Sequence, residues 1–388
     1  MRPQIRFKEF TDEWEEKKLG DFMNFANGIN TDKNNYGTGR KMISVLDVLN
    51  DSKLLSKNII NSVNISKEME EKYKVTYGDI IFVRSSEVIS EVGLCKGYVD
   101  KKNYSLYSGF TIRGNQSIYH PIVLQNIINI KARREIEKQA GGSTRYNVSQ
   151  SILKKIRIQL PSLPEQEKIG KFFSLLDQRI EKQERKVALL EERKKGWMQK
   201  LFNQEIRFKD ENGNDYPDWE EKKLGEIVDK QLKGKKSTES DKGNILLTTD
   251  YLDNGILSYV SEQNNVTLSD LLILWDGSQA GKVYIGHEGV LGSTFMKLEL
   301  CNLVSENYTY QFLIFRKKQI QEKWRTGSGI PHVSKDFISS FVISLPTLPE
   351  QEKIANFLSA QDELIEKEKE KLKLMKQEKQ GFMQRMFI

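Results

Sequence analysis

Cysteine and histidine are scarce in this 388-residue chain, and each scarcity removes a class of protein. The two cysteines, Cys95 and Cys301, have no metal-ligand spacing and imply no disulfide framework. The three histidines, His120, His287 and His332, are equally scattered, which argues against a metal site. No run of 18 apolar residues marks a membrane span, and the first five residues lack the apolar core of a secretion signal. The expectation is a cytoplasmic protein with no membrane contact. A nucleophile elbow, a dinucleotide fingerprint and a cofactor loop opening a helix are missing as well. The stretch from Gly277 to Lys282 comes nearest to a phosphate loop. It has three residues between its glycines instead of four, and no hydroxyl follows the lysine. The sequence therefore reads as non-catalytic.

Charge and length say more. A formal charge of +7 and a pI near 9.0 favour a polyanionic partner. The chain is too long for one ordinary core, so two domains are expected. Four of its eight prolines sit in two copies of one box: Leu160-Pro161-Ser162-Leu163-Pro164-Glu165-Gln166-Glu167-Lys168-Ile169, and 185 residues later Leu345-Pro346-Thr347-Leu348-Pro349-Glu350-Gln351-Glu352-Lys353-Ile354. Each reads as a helix start. Ser162 with Glu165, and Thr347 with Glu350, have the spacing of capping boxes, and proline in the first turn loses no hydrogen bond. A ten-residue repeat with one Ser-to-Thr change points to duplication.

A second pair of repeats agrees. Ile5-Arg6-Phe7-Lys8 and Trp14 to Gly20 return as Ile206-Arg207-Phe208-Lys209 and Trp219 to Gly225. The offset is 205 here but 185 at the box, so the second globular unit is 20 residues shorter. Strands are expected at 42–46, 78–83, 244–248 and 269–274 from their apolar, β-branched content. Helices are expected at 122–139 and 307–325. Glycine turns follow at 141–145 and 327–331, then strands 156–160 and 341–345 lead into the boxes.

Behind each box runs a heptad seam. The first has Phe173, Leu176, Ile180, Gln183, Val187, Leu190, Lys194, Trp197 and Leu201. The second has Leu358, Gln361, Ile365, Glu368, Leu372, Met375, Lys379, Phe382 and Met386. Polar breaks fall at matching places, at Gln183 and Lys194 and at Glu368 and Lys379, so each helix is the natural partner of the other. A pseudo-two-fold internal repeat makes that pair antiparallel and brings the C-terminus near the N-terminus. Each helix is roughly 57 Å long at 1.5 Å per residue. The fold class is α+β: two similar mixed domains, 1–160 and 205–345, separated by a long antiparallel two-helix coiled coil, 161–204 and 346–388.

Basic residues cluster before the glycine turn in both halves. Lys131, Arg133, Arg134, Lys138 and Arg145 face Arg316, Lys317, Lys318, Lys323 and Arg325 in the repeat. With Ser143, Thr144 and Ser328 beside them, they suit phosphate contacts. The loops after the Gly-Asp and Ser-Asp strands diverge between the halves. They carry Arg84, Ser85 and Ser86 in the first, and Trp275, Ser278, Gln279 and Lys282 in the second. Divergent loops on one scaffold are where different sequences would be read.

The doubled boxes, the heptad helices, the Trp…Leu-Gly starts and the Gly-Ser turns resemble the specificity (S) subunits of type I restriction–modification systems over essentially the whole chain. That resemblance implies two target recognition domains, each reading half of a split, asymmetric site in double-stranded DNA. It also implies that the helices set the spacer between the halves. Half-sites one helical turn apart lie roughly 34–36 Å from each other, within reach of such helices. Two modification (methyltransferase) subunits and the restriction (motor/nuclease) subunits are the implied partners. S-adenosylmethionine, ATP and magnesium are expected on them, with no cofactor on this chain. The competing reading is a non-enzymatic coiled-coil scaffold with twin protein-binding domains. An autonomous methyltransferase or nuclease is disfavoured by the missing motifs.

Overall fold

The computed structural model describes residues 3–142, 144–327 and 329–387. It divides into two compact units: 1–182 with 372–388, and 183–371. Each unit therefore contains one mixed α+β body and one end of each long helix. Those helices span Leu163–Phe202 and Leu348–Phe387, 40 residues apiece.

In unit 1 the central sheet is antiparallel. Asn24–Asn27 pairs with Thr111–Asn115, which pairs with Ile80–Val83, and Cys95–Gly97 forms the outer edge. Every side chain of Ile80–Val83 is buried, which is why this strand reads as an unbroken apolar run. Even residues Ile80 and Phe82 join one core and odd residues Ile81 and Val83 another, as a two-residue period demands. Unit 2 repeats the plan with Val228–Lys233, Phe295–Leu300, Leu271–Leu274 and Val283–Tyr284. In both units the strand that leads into the box pairs with the strand near the unit's tryptophan: Arg157–Leu160 with Glu15–Lys18, and Val342–Leu345 with Glu220–Lys223.

Three local readings need correction. The strand expected at 42–46 ends at Ile43, because Ser44 caps a short helix, Val45–Leu49, through Asp47. The helix expected at 122–139 contains a π-helical segment, Ile128–Ala132. The helix expected at 307–325 breaks at Arg316 and ends at Lys323, so Arg325 lies in a strand pair instead.

The proline boxes also differ from expectation. The long helices do begin at Leu163 and Leu348, but the box glutamates are not free to cap them. Glu165 is fully buried and accepts two hydrogen bonds from Arg6, Nε to Oε1 and Nη2 to Oε2, each 2.7 Å. Glu350 is likewise buried and receives Arg207 (3.1 and 2.7 Å) and the indole N–H of Trp219 (3.2 Å). The Thr347 hydroxyl is buried without a hydrogen-bond partner among the described residues. The repeated Ile-Arg-Phe-Lys and the repeated box are thus two halves of one joint. Gln166 and Gln351 complete it. Each donates to the first proline carbonyl of its box, Pro161 or Pro346, and accepts a backbone N–H, from His120 and Ser305 respectively, the residues just before the helices Pro121–Ile127 and Glu306–Phe315. The amide of Ile5 donates to Arg385 O in unit 1, as that of Ile206 does to Lys200 O in unit 2. These are equivalent positions of the repeat, and in unit 1 the contact joins a residue near the start of the sequence to one near its end.

Within each unit the helix segments run antiparallel. In unit 1, Phe172 packs edge-on against Phe382, Phe173 stacks with Phe387, and Lys379 pairs with Asp177. Leu176 is half-buried beside this cluster. In unit 2, Trp197 meets Phe357, Gln183 donates to Glu368, and Lys194 bridges both oxygens of Asp362 at 2.6 and 2.7 Å. Val187, Leu190, Leu201, Leu358, Ile365 and Met386 are buried, while Ile180, Leu372 and Met375 are half-buried. The polar breaks are therefore not holes in the seam. They are cross-helix pairs, and such pairs fix register.

Candidate nucleic-acid interface

In unit 1 the buried strand Ile80–Val83 runs out into the loop 84–92 before the chain returns along Cys95–Gly97. Ser85 and Ser86 in that loop pair antiparallel with Asn147 and Tyr146. The loop and the glycine turn after the helix Arg133–Gln139 thus form one face. Val148 N donates to Arg84 O (2.9 Å), and the Arg84 side chain donates to Gly109 O (3.2 Å). The Ser86 hydroxyl donates to Glu91 at 2.5 Å, which shapes the loop from within. Arg145 pairs with exposed Glu87 (3.2 Å) and sits 5.7 Å from the ring centre of Phe110. That ring is 54% exposed, an arginine beside an open aromatic face. Thr144, Arg134 and Lys138 are exposed, whereas Lys131 is partly buried and its ammonium is pushed below its usual pKa by desolvation.

Unit 2 builds the corresponding face with different residues. The strand Leu271–Leu274 ends in the loop 275–280, and Arg325–Thr326 pairs with His332–Val333 beside it. Gly277 N donates to Pro331 O and Val333 N to Trp275 O, both at 2.8 Å, so loop and turn are stitched by backbone. Arg325 donates to Ser278 O (3.1 Å), and Thr326 shares a hydrogen bond with the His332 ring (3.1 Å). A groove of about 500 Å³ opens here, lined by Lys318, Gln321, Glu322, Arg325, Thr326 and Pro331 among others. A neighbouring depression of about 520 Å³ adds Arg316 and Lys323. Ser278 and Gln279 are exposed at the loop tip, and Lys317 is half-buried.

The structure sorts the candidate residues. Arg84, Ser85, Ser86, Thr144 and Arg145 come together in unit 1, with Arg134 and Lys138 on the adjoining helix. Ser278, Gln279, Lys318, Lys323 and Arg325 do so in unit 2. Trp275 does not belong with them: only 9% exposed, it packs in the core around Phe312 and Phe337. Lys282 is held by Asp253 at 2.5 Å. Arg133 is turned inward, 15% exposed, with each of its three guanidinium nitrogens donating to a protein oxygen. Ser143 and Ser328 lie outside the described residues. Sequence reasoning missed Phe110, Glu87, Thr326 and His332. His332 lacks a metal spacing, but its place directly after the glycine turn 327–331 was visible.

The model for the type I restriction modification DNA specificity domain matches residues 11–191 and again 216–377. The chain belongs to the type I restriction–modification DNA specificity family. Its twin match covers both halves of the repeat, so the family's domain is the duplicated unit. Among proteins of this family, the chain is 35% identical to the type I restriction enzyme MjaVIII specificity subunit of Methanocaldococcus jannaschii, over 48% of this chain and 46% of that protein. It is thus matched along about half of that relative's length. It is 28% identical to the putative MjaX specificity subunit of the same organism, over 96% of this chain and 92% of that one. The fold resembles the crystal structure of a type I restriction–modification S subunit from M. genitalium, with a TM-score of 0.63 at 16% identity over 100% and 99% of the two chains. A chain from a structural study of type I restriction–modification complex assembly gives 0.58 at 15% identity over 98% of each. The α+β, two-domain architecture with long helices is the family's fold. No helix among the described residues is long and apolar enough to cross a membrane.

Proposed function

We propose that this chain is the DNA sequence-specificity subunit of a type I restriction–modification complex in the cytoplasm. Each unit reads one half of a bipartite, asymmetric site. The observation that carries this reading is the twin face: one scaffold, one stitched loop-and-turn arrangement, and two sets of side chains. Arg134, Lys138 and Arg145 in unit 1, and Lys318, Lys323 and Arg325 in unit 2, supply phosphate contacts that position the duplex. Arg84, Ser85 and Ser86, and Ser278 and Gln279, offer hydrogen bonds to base edges in the groove. The paired helices set the spacer between half-sites and carry two methyltransferase subunits. The restriction subunits join that core. S-adenosylmethionine, ATP and magnesium act on those partners, and this chain supplies address and geometry. The scaffold reading has no use for basic residues gathered beside divergent loops at the same place in both units.

The test is the salt dependence of duplex binding by the assembled complex. Arg134→Ala with Lys138→Ala should weaken binding to all sequences and reduce the slope of log K against log salt by about 0.9 per lost phosphate contact. Unchanged slopes would place the phosphate-binding face elsewhere.

A further inference from the structure

Three polar side chains on one helix face hold the outer edge of unit 1's central sheet and the loop that leaves it. Gln125, Asn129 and Arg133 recur every four residues, the spacing that aligns side chains along a helix. Cys95–Gly97 is the edge strand, so its outward backbone groups need partners. Gln125 Oε1 accepts the N–H of Gly97 at 2.9 Å. Asn129 satisfies both backbone groups of Cys95, accepting from N at 2.9 Å and donating to O at 2.8 Å. Asn129 lies in the π-helical segment Ile128–Ala132, a local irregularity of the kind that gathers at functional sites. One step further, the strand has become loop. There Arg133 Nη1 donates to Val92 O (2.5 Å) and Nη2 to Ile89 O (2.8 Å), while Nε is steered by Glu137 at 2.8 Å.

Among the described residues, unit 2 has no such ladder in the same place. Position 310 there is tyrosine and 314 isoleucine, its loop is three residues shorter, and Arg325 donates to its Ser278 O. The longer loop is the one that receives two carbonyl anchors. We propose that Arg133 is a positioning residue for half-site readout, fixing the loop 84–92 in the conformation that presents Arg84, Ser85 and Ser86, and that it contacts no DNA itself. This rests on the DNA reading proposed above. Its neighbour Arg134 points to solvent and serves as the contrast.

The experiment uses the assembled methyltransferase complex and duplexes mutated in one half-site at a time. Arg133→Ala should leave the salt slope unchanged. Discrimination at the unit 1 half-site should fall about tenfold or more, the scale of losing hydrogen bonds to a charged group, while the other half-site stays as it was. Arg133→Lys, which can still reach one carbonyl, should recover part of that discrimination. Amide exchange should quicken in 84–92 and not in the sheet, which separates loop release from misfolding. A lower salt slope with intact discrimination would make Arg133 a phosphate contact and overturn the proposal. Equal losses at both half-sites, or sheet-wide exchange, would reduce it to a stability effect and overturn it too. If the unmutated complex showed no sequence preference at all, the DNA reading would fail first, and the proposal with it.

Discussion

Converting Glu165 to glutamine should destabilise unit 1 far more than an ordinary single substitution. The carboxylate is fully buried, and Arg6, with 14% of its side chain exposed, donates to both of its oxygens at 2.7 Å. Glutamine fills the same space but removes the charge and one of the two acceptors. Breaking a buried pair from one side costs about 3–5 kcal/mol, because the remaining charge is left without compensation. Taking the lower end, about 3 kcal/mol, and a shift of about 2–4 °C per kcal/mol for a unit of this size, the melting temperature should fall by about 6–12 °C. Replacing both partners, Arg6→Met with Glu165→Leu, should recover most of that loss, since apolar residues of similar volume carry no desolvation cost. Glu350→Gln gives the same experiment in unit 2, where Arg207 and Trp219 share the carboxylate. The assay is denaturant unfolding read with amide exchange resolved by unit, so that each unit is the control for the other. A loss below about 1 kcal/mol for Glu165→Gln, with no coupling to Arg6 in a double-mutant cycle, would refute the claim that this pair holds the joint.

Three further outcomes are expected. Gly93→Ala should destabilise unit 1 and loosen the loop 84–92 in amide exchange: Gly93 has φ +74°, and an added Cβ would stand 2.3 Å from Ile136 Cγ2, whereas Gly141→Ala meets open space and should be mild. Lys194→Leu should leave the thermal stability of unit 2 unchanged within about 1 kcal/mol or raise it, because the partner Asp362, with 41% of its side chain exposed, stays in reach of solvent and keeps its bond from Gln311. Burial lowers the Lys96 ammonium from 10.5 to about 8. The unfolded chain therefore holds that proton to higher pH than the folded one, and unit 1 should gain stability between pH 8 and 10.5. Lys96→Met should flatten that rise in a pH series of unfolding curves.

Much of the architecture was legible because duplication prints the same local signals twice. The box, the seam and the strand before the box each recur, and the box together with the heptad period behind it located the long helices. What periodicity could not supply was the partner of a side chain distant in sequence. Ser162-x-x-Glu165 has the spacing of a cap, yet Arg6, some 160 residues away, competes for the carboxylate and wins because a buried charge must be matched. The clue was available, since Ile-Arg-Phe-Lys duplicates along with the box. Arg133 and Trp275 were misplaced for a related reason. Composition puts an arginine in a basic cluster and a tryptophan in a loop, but only the fold tells which way each side chain turns. The 42–46 strand failed at Ser44, where a cap three residues before Asp47 outweighed the β-branched run.

The central claim is that the two units read different halves of one DNA site. Its most direct test is selection of bound duplexes from a random library by the assembled complex, with the native chain and with the loop 84–92 exchanged for that of a relative. The account predicts a motif of two unlike half-sites at fixed spacing, of which the exchange changes one half and leaves the other half and the spacing untouched. No enriched motif, or a motif unchanged by the exchange, would contradict it.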